Sequence, residues 1–433
     1  MISMVNSKHS ASTSKIPGVF RNRNFRMHFS ARIISQTGDQ IYVFAISWYI
    51  LDATQSSLQM TVPLILTTVI TAFVSLFGGT IADRLNRKDI IIRTDILQGF
   101  VLLMISILLY QNWLQIWMLY LFTIVLALCS AVFSPAASAI ITDIVQKDQL
   151  MEATSANQFT ISFCTVVGML TGGFLYNLCG IVAILLFNAA SNFTSAFLES
   201  HLDFPMEKQK KYDISLSNNM KQSVHELSEG YGYVKRHTPL FHLLLVNSLF
   251  NFIALPIGLV YIPYYFNVIL HSTSAQLAIP QAAVWFGMIL ATLIIPFSLR
   301  KTKLPKLIWR GLIWMSICTL AGIPLMLSEV IGFFSLGQIT MIWVAINLYC
   351  GITVNLFTVP LYTLFQKNIS NEYRGRFWGI ENSIRTIALC SGYLLAGLLA
   401  QKVWLGFLFA GAALIMFIMA IWVRNLNSIK KLD

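Results

Sequence analysis

Twelve stretches of mostly apolar residues, each long enough to cross a bilayer, constrain this chain more than any other feature in it. They lie near 27–51, 58–81, 90–110, 114–141, 150–177, 180–201, 240–267, 278–299, 306–327, 332–363, 378–400 and 404–424. A membrane helix needs about 20 such residues. A segment in hydrocarbon must satisfy its own backbone polar groups, and runs of this length do so as helices. Only 11% of the 433 residues are charged and 56% are hydrophobic. A water-soluble core cannot hide so much apolar surface. A soluble enzyme, a nucleic-acid-binding domain and a disordered scaffold are therefore excluded.

The basic residues test the span count independently. Of the 30 Lys and Arg residues, 28 fall in alternate connections, at the termini or at the edges of spans facing one side. Arg32 is counted with that side. Lys402 falls on the other side, and Arg385 lies within span 11. The excess of Lys and Arg in cytoplasmic loops then predicts cytoplasmic termini in a multi-pass plasma-membrane protein. The net charge of +12 is thus a topology signal, and no nucleic-acid partner is expected. The first 24 residues lack the apolar core of a cleavable signal peptide, so span 1 is read as retained. The six cysteines show neither a CxxC pair nor a nearby His, and no metal site is expected.

Residues 202–238 break the apolar pattern with Glu207, Lys208, Lys210, Lys211, Glu226 and Glu229 among others. The predicted organisation is an N-terminal tail at 1–24, a six-helix bundle at 25–201, a cytoplasmic linker at 202–238 with an amphipathic helix near 217–235, a second six-helix bundle at 239–424, and a tail at 425–433. The halves echo one another. Pro135, Asn157 and Gly172 keep the spacing of Pro360, Asn382 and Gly397. The predicted fold is an all-α membrane protein of twelve transmembrane helices in two pseudo-symmetric bundles, an architecture that places a substrate site between repeats near the bilayer midplane.

The connection after span 2 reads Gly78-Gly79-Thr80-Ile81-Ala82-Asp83-Arg84-Leu85-Asn86-Arg87-Lys88. It resembles the signature loop of the major facilitator superfamily, Gly-x-x-x-Asp-Arg-x-Gly-Arg-Lys, with matches at Gly79, Asp83, Arg84, Arg87 and Lys88. Asn86 stands where that family usually has Gly, and Asn also tolerates positive φ, so the turn is expected to survive. The resemblance implies a clasp in which this loop meets Glu381 at the start of span 11 and holds the cytoplasmic side shut. Gly168-Met169-Leu170-Thr171-Gly172-Gly173 in span 5 is similar to part of the drug/proton antiporter motif of the same superfamily, with Met169 in place of its Pro. Small residues at that spacing also serve ordinary close helix packing. Ser35-Gln36-Thr37-Gly38-Asp39, Ser134-Pro135-Ala136 with Asn157, and Arg374-Gly375-Arg376 resemble the subgroup of macrolide-efflux proteins and the enterobactin exporter.

Asp39 lies about twelve residues into span 1. An ionised carboxylate at that depth costs about 2.5–3.5 kcal/mol on insertion scales. A proton or a cation relieves that cost, which makes Asp39 the predicted proton-coupling residue. Gln36, Tyr42, Asn157, Asn251, Asn347 and Arg385 are the candidates for the substrate cavity. With no P-loop for ATP, the expected energy source is the proton gradient, and no cofactor is expected. The functional expectation is a monomeric secondary active transporter, not an enzyme, that exports amphipathic small molecules or drugs by proton-coupled alternating access. Alternatives are a dedicated exporter of a metabolite such as a siderophore, a lysolipid flippase, or a non-transporting sensor with a transporter fold.

Overall fold

The computed structural model describes residues 18–84, 86–203, 229–299, 302–370, 372–426 and 429. No strand occurs among them. Ten helices among the described residues are long and apolar enough to cross a membrane. One of these, Leu150–Ser200, is 51 residues long and breaks at Gly180. There φ is 73° and ψ 177°, backbone that a residue with a Cβ avoids. The break yields two legs, α5 (150–179) and α6 (181–200). The twelfth span is α1, Arg23–Thr54, whose 32 residues are long enough although its polar residues keep it out of the apolar set. The others are α2 Ser57–Arg84, α3 Arg87–Tyr110, α4 Ile116–Ile144, α7 Thr238–Ile269, α8 Ser274–Leu299, α9 Leu304–Ala321, α10 Leu336–Asn368, α11 Arg374–Leu399 and α12 Leu405–Asn425.

Local chemistry sets several boundaries. Asn22 Oδ1 accepts from the backbone N–H of Asn24 and Phe25 and starts α1. Asn86 does the same for α3, accepting from the N–H of Lys88 at 3.0 Å. Its φ is −60°, so Asn86 stands in the loop as a helix cap and not as the left-handed turn residue expected from the sequence. Ser335 and Gln338 form a reciprocal capping box at α10. Pro256 and Pro263 lack the N–H that a regular helix needs, and α7 widens into π-helical turns over Ile257–Tyr261 and Tyr265–Ile269. Of the expected linker helix, 229–236 is helical, and 204–228 lie outside the described residues.

Two kinds of core hold the helices. At the end where α1 finishes and α2 begins, one apolar cluster is shared by both halves and includes Ile50, Leu51, Phe266, Ala278, Leu389 and Phe409. At the opposite end the halves keep separate clusters, one around Phe25, Ile91 and Ile140 and one around Leu243, Leu361 and Phe377. Among the described residues the halves therefore share a core at one end and keep separate cores at the end that carries the chain termini. The join follows the internal echo. Helix α5 packs on α8, and α11 packs on α2, so a shift of six spans exchanges the two contacts. The Ser274 hydroxyl donates to the Gly173 carbonyl at 2.8 Å, and the Ser57 hydroxyl donates to the Gly397 carbonyl at 2.8 Å. Gln401 donates to the Gln55 carbonyl at 3.0 Å beside them.

Within the second half, α8 crosses α10 at Gly287 and Gly351. A carbon added at Gly351 would meet the carbonyl of Val284, which no rotamer change relieves. Gly351→Val is therefore expected to lose about 3 kcal/mol or more, the upper end of overpacking costs. Its apparent unfolding temperature in detergent should fall well below that of the unsubstituted protein; an unchanged temperature would show that the crossing has slack.

Candidate functional site

A cavity of about 380 Å³ lies inside the first half, walled by α1, α2, α3, α4 and α6. Asp39 stands at the middle of α1 and faces into it. The amide of Asn188 on α6 donates to Asp39 Oδ1 at 3.3 Å. Gly38 makes that approach possible, because a carbon on it would collide with the side chains of Asn188 and Ser191. Asn188 is itself held by Ser191 and by Asn192, which donate to its Oδ1 at 3.0 and 3.2 Å. The Gly-Asp pair of span 1 thus works as a unit: the glycine admits the amide that orients the acid.

Arg32, about two turns before Asp39, also lines the cavity. Its guanidinium donates to Gln36 Oε1 at 3.0 Å and lies 4.8 Å from the centre of the Phe133 ring. Read by position alone, Arg32 belongs with the basic residues of the inner face; folded, it is a wall of the cavity. Gln36 and Tyr42 line this cavity, together with Asp95 and Gln98 from α3 and Thr123 from α4.

The other cavity candidates stand elsewhere. Asn157 is half-buried on α5 and is not among the described lining residues. Asn347 donates to the Trp343 carbonyl one turn back at 2.8 Å. Asn251 donates to the Asn247 carbonyl at 2.8 Å, and Asn247 donates to Glu381 Oε1 at 2.9 Å. Arg385 Nε lies 3.3 Å from Glu381 Oε1, and its Nη2 donates to Asn382 at 2.6 Å. Asn251, Glu381 and Arg385 therefore form a polar cluster of α7 and α11 in the second half.

The loop after α2 makes its described contacts within its own half. Arg87 Nη1 lies 2.8 Å and 2.9 Å from the two carboxylate oxygens of Asp143 at the end of α4. Lys88 Nζ donates to the Leu202 carbonyl at 2.7 Å. The side chains of Gly79, Asp83 and Arg84 lie outside the described residues. Glu381 faces Arg385 and Asn247 of its own half in this conformation. The glycine run of α5 serves two interfaces: Gly168 and Gly172 face α1, and Gly173 faces Ala278 of α8.

Sequence reasoning missed Asp95, Asn188, Asn192 and Glu199. An acid or amide within an apolar run is the signal that singled out Asp39, and it applied equally to these. Asp95 and Glu199 sit near the ends of their helices, where such residues read as headgroup contacts.

Comparison with known proteins gives the following. Residues 29–392 match the family model of the Major Facilitator Superfamily. Macrolide efflux protein A of Streptococcus pyogenes is 24% identical over 417 residues, covering 95% of this chain and 98% of that protein. The protein of the same name in Enterococcus faecalis is 24% identical over 317 residues, covering 72% of this chain and 92% of its own. A bacterial homologue of the iron transporter ferroportin, solved in its inward-facing state, superposes with a TM-score of 0.71 at 16% identity, covering 93% of this chain and 99% of that one. At that identity the likeness concerns the fold.

Proposed function

The chain belongs to the Major Facilitator Superfamily, and from that premise we propose that it exports amphipathic small molecules in exchange for protons, by alternating access. The observation that carries this reading is Asp39, a carboxylate at mid-membrane depth that lines a cavity inside the first half. The cavity volume falls in the range of sites for drug-sized ligands, and its wall mixes apolar side chains with a few polar ones. With the basic loops in the cytoplasm, the end with separate cores faces the cytoplasm and the joined end faces outward. Such a conformation is loaded from inside, which suits an exporter. The relatives named for macrolide efflux support a macrolide-like cargo. Arg87, Lys88 and Glu381 are read as clasp groups whose present partners, Asp143, Leu202 and Arg385, they exchange when the inner end shuts.

The test is direct. The purified protein in liposomes, given a pH gradient of one unit, is expected to concentrate erythromycin or ethidium on one side. Each coupled proton supplies about 1.4 kcal/mol, a tenfold ratio. A protonophore should abolish the accumulation. If neither probe moves with the gradient imposed in either direction, the protein is not this kind of transporter.

A further inference from the structure

Between the inner end of the first half and the cavity lies a set of buried ionisable side chains that coupling through Asp39 alone leaves without a task. His28 of α1 and Glu199 of α6 are 2% and 0% exposed, and Asp95 of α3 is 2% exposed. His28 Nδ1 stands 3.2 Å from Glu199 Oε1, off the line of a hydrogen bond. Neither carboxylate oxygen of Glu199 has a hydrogen-bond partner among the described residues, and neither do Asp95 Oδ2 and Arg32 Nε. Asp95 and Arg32 also line the cavity. A buried polar atom left without a partner costs about 1–3 kcal/mol, and more if the group is ionised.

Charge counting sharpens the point. Asp95 lies within electrostatic reach of both Asp39 and Glu199, and all three acids act on Arg32, which is the only base among the described lining residues. Three acids face one guanidinium. Desolvated charge without compensation is far costlier than a paired one, so the surplus must be balanced by protons or by a cation in the cavity. The groups facing Asp95 from the packed helices are Arg32 and Asp39 on α1, the Cys129 thiol on α4, and Glu199 with Ser195 on α6; His28 on α1 stands behind Glu199.

We propose that Asp95 carries a second exchangeable proton, displaced by an organic cation in the cavity, and that Glu199 with His28 conducts that proton to water at the inner end. The proposal rests on the transport reading above. When the cation enters, the Asp95 O–H bond breaks. Its proton passes to a Glu199 oxygen, then through the His28 imidazole to water, and the cation balances the carboxylate left behind. No other bond changes. Asp95 lines the cavity, whereas Glu199 and His28 are not among its described lining residues, so the proton leaves on the side away from the cargo.

The experiment counts protons released on ethidium binding by the purified full chain in weakly buffered detergent solution, using a pH indicator. Asp95→Asn should release about half the protons per ethidium that the unsubstituted protein releases, since one of two coupled sites is gone. Glu199→Gln should leave the count near normal and slow the release about tenfold or more, as expected when a proton-transfer group is lost. Asp95→Glu, which keeps the acid but moves it by one methylene, should shift the pH midpoint of ethidium binding, a readout that a merely structural role does not move. Undiminished release by Asp95→Asn, or an unmoved midpoint in Asp95→Glu where Asp95→Asn does not fold, overturns the proposal. No proton release by the unsubstituted protein overturns the transport reading itself, and this proposal with it, so the two failures are distinguishable.

Discussion

Asp39→Asn is expected to abolish uphill transport while leaving the protein folded and in the membrane. The substitution keeps the shape of the side chain and can keep the contact with Asn188, now as an amide pair. It removes only the titratable group. An uncharged amide at mid-bilayer is easier to insert than a carboxylate, whose own cost is about 2.5–3.5 kcal/mol, so no folding defect should mask the result. The accumulation ratio of about tenfold per coupled proton at one pH unit should fall to one, because without the Asp39 proton the emptied transporter returns unprotonated, and that leak dissipates whatever Asp95 still exchanges on cargo binding. Downhill movement and probe binding should persist. The paired measurement is gradient-driven accumulation against downhill flux in the same liposomes. Uphill transport at the unsubstituted rate would falsify the coupling role of Asp39.

The reason Asp39 was legible in the sequence is also the reason other parts of the site were not. A lone acid in the middle of an apolar run must either titrate or pair with a polar neighbour, and in both cases it marks a place where the bundle is not simply apolar. Which neighbour it meets is another matter. Asn188 lies 149 residues away, and nothing in its neighbourhood identifies α1 as its partner. Arg32, Asp95 and Glu199 are visible as charges, but near helix ends a charge in the headgroup region and a charge in a buried bundle read alike. The span count was legible because hydropathy carries all but α1, including the division at Gly180, and α1 counts by its length. Pairing was partly legible: the echo linking Gly172 to Gly397 is realised by Gly173 and Gly397, each taking a serine hydroxyl from the other half. Asn251, Asn347 and Arg385 illustrate the opposite case. A polar residue within a span must find a partner, but the next turn of its own helix often supplies one. The contacts of Arg87 and Glu381 depend on which end of the molecule is shut, and a sequence does not carry a conformation.

The join between the halves should be as sensitive as the acid. At Gly173 an added carbon would meet the Ala278 side chain and the Ser274 backbone carbonyl. Gly173→Leu therefore cannot be accommodated by a rotamer change; α5 and α8 must separate. A penalty of about 3 kcal/mol falls on the conformation drawn here and not on one whose opposite end is shut, which shifts the balance between them more than a hundredfold. A transporter that alternates between two conformations needs both, so turnover should fall by about a hundredfold even though the cavity around Asp39 is untouched. The shift has its own readout. Asn112 and Lys402 are exposed at the joined end, one on each half, and spin labels placed there in a chain lacking the exposed Cys179 report the gap between them. Gly173→Leu should give a longer and broader distance distribution than the unsubstituted protein. Gly411→Leu, where an added carbon meets nothing within 4 Å, should keep the original distance. If Gly173→Leu transports at the unsubstituted rate with the same label distance, the contact between α5 and α8 is not the outer gate.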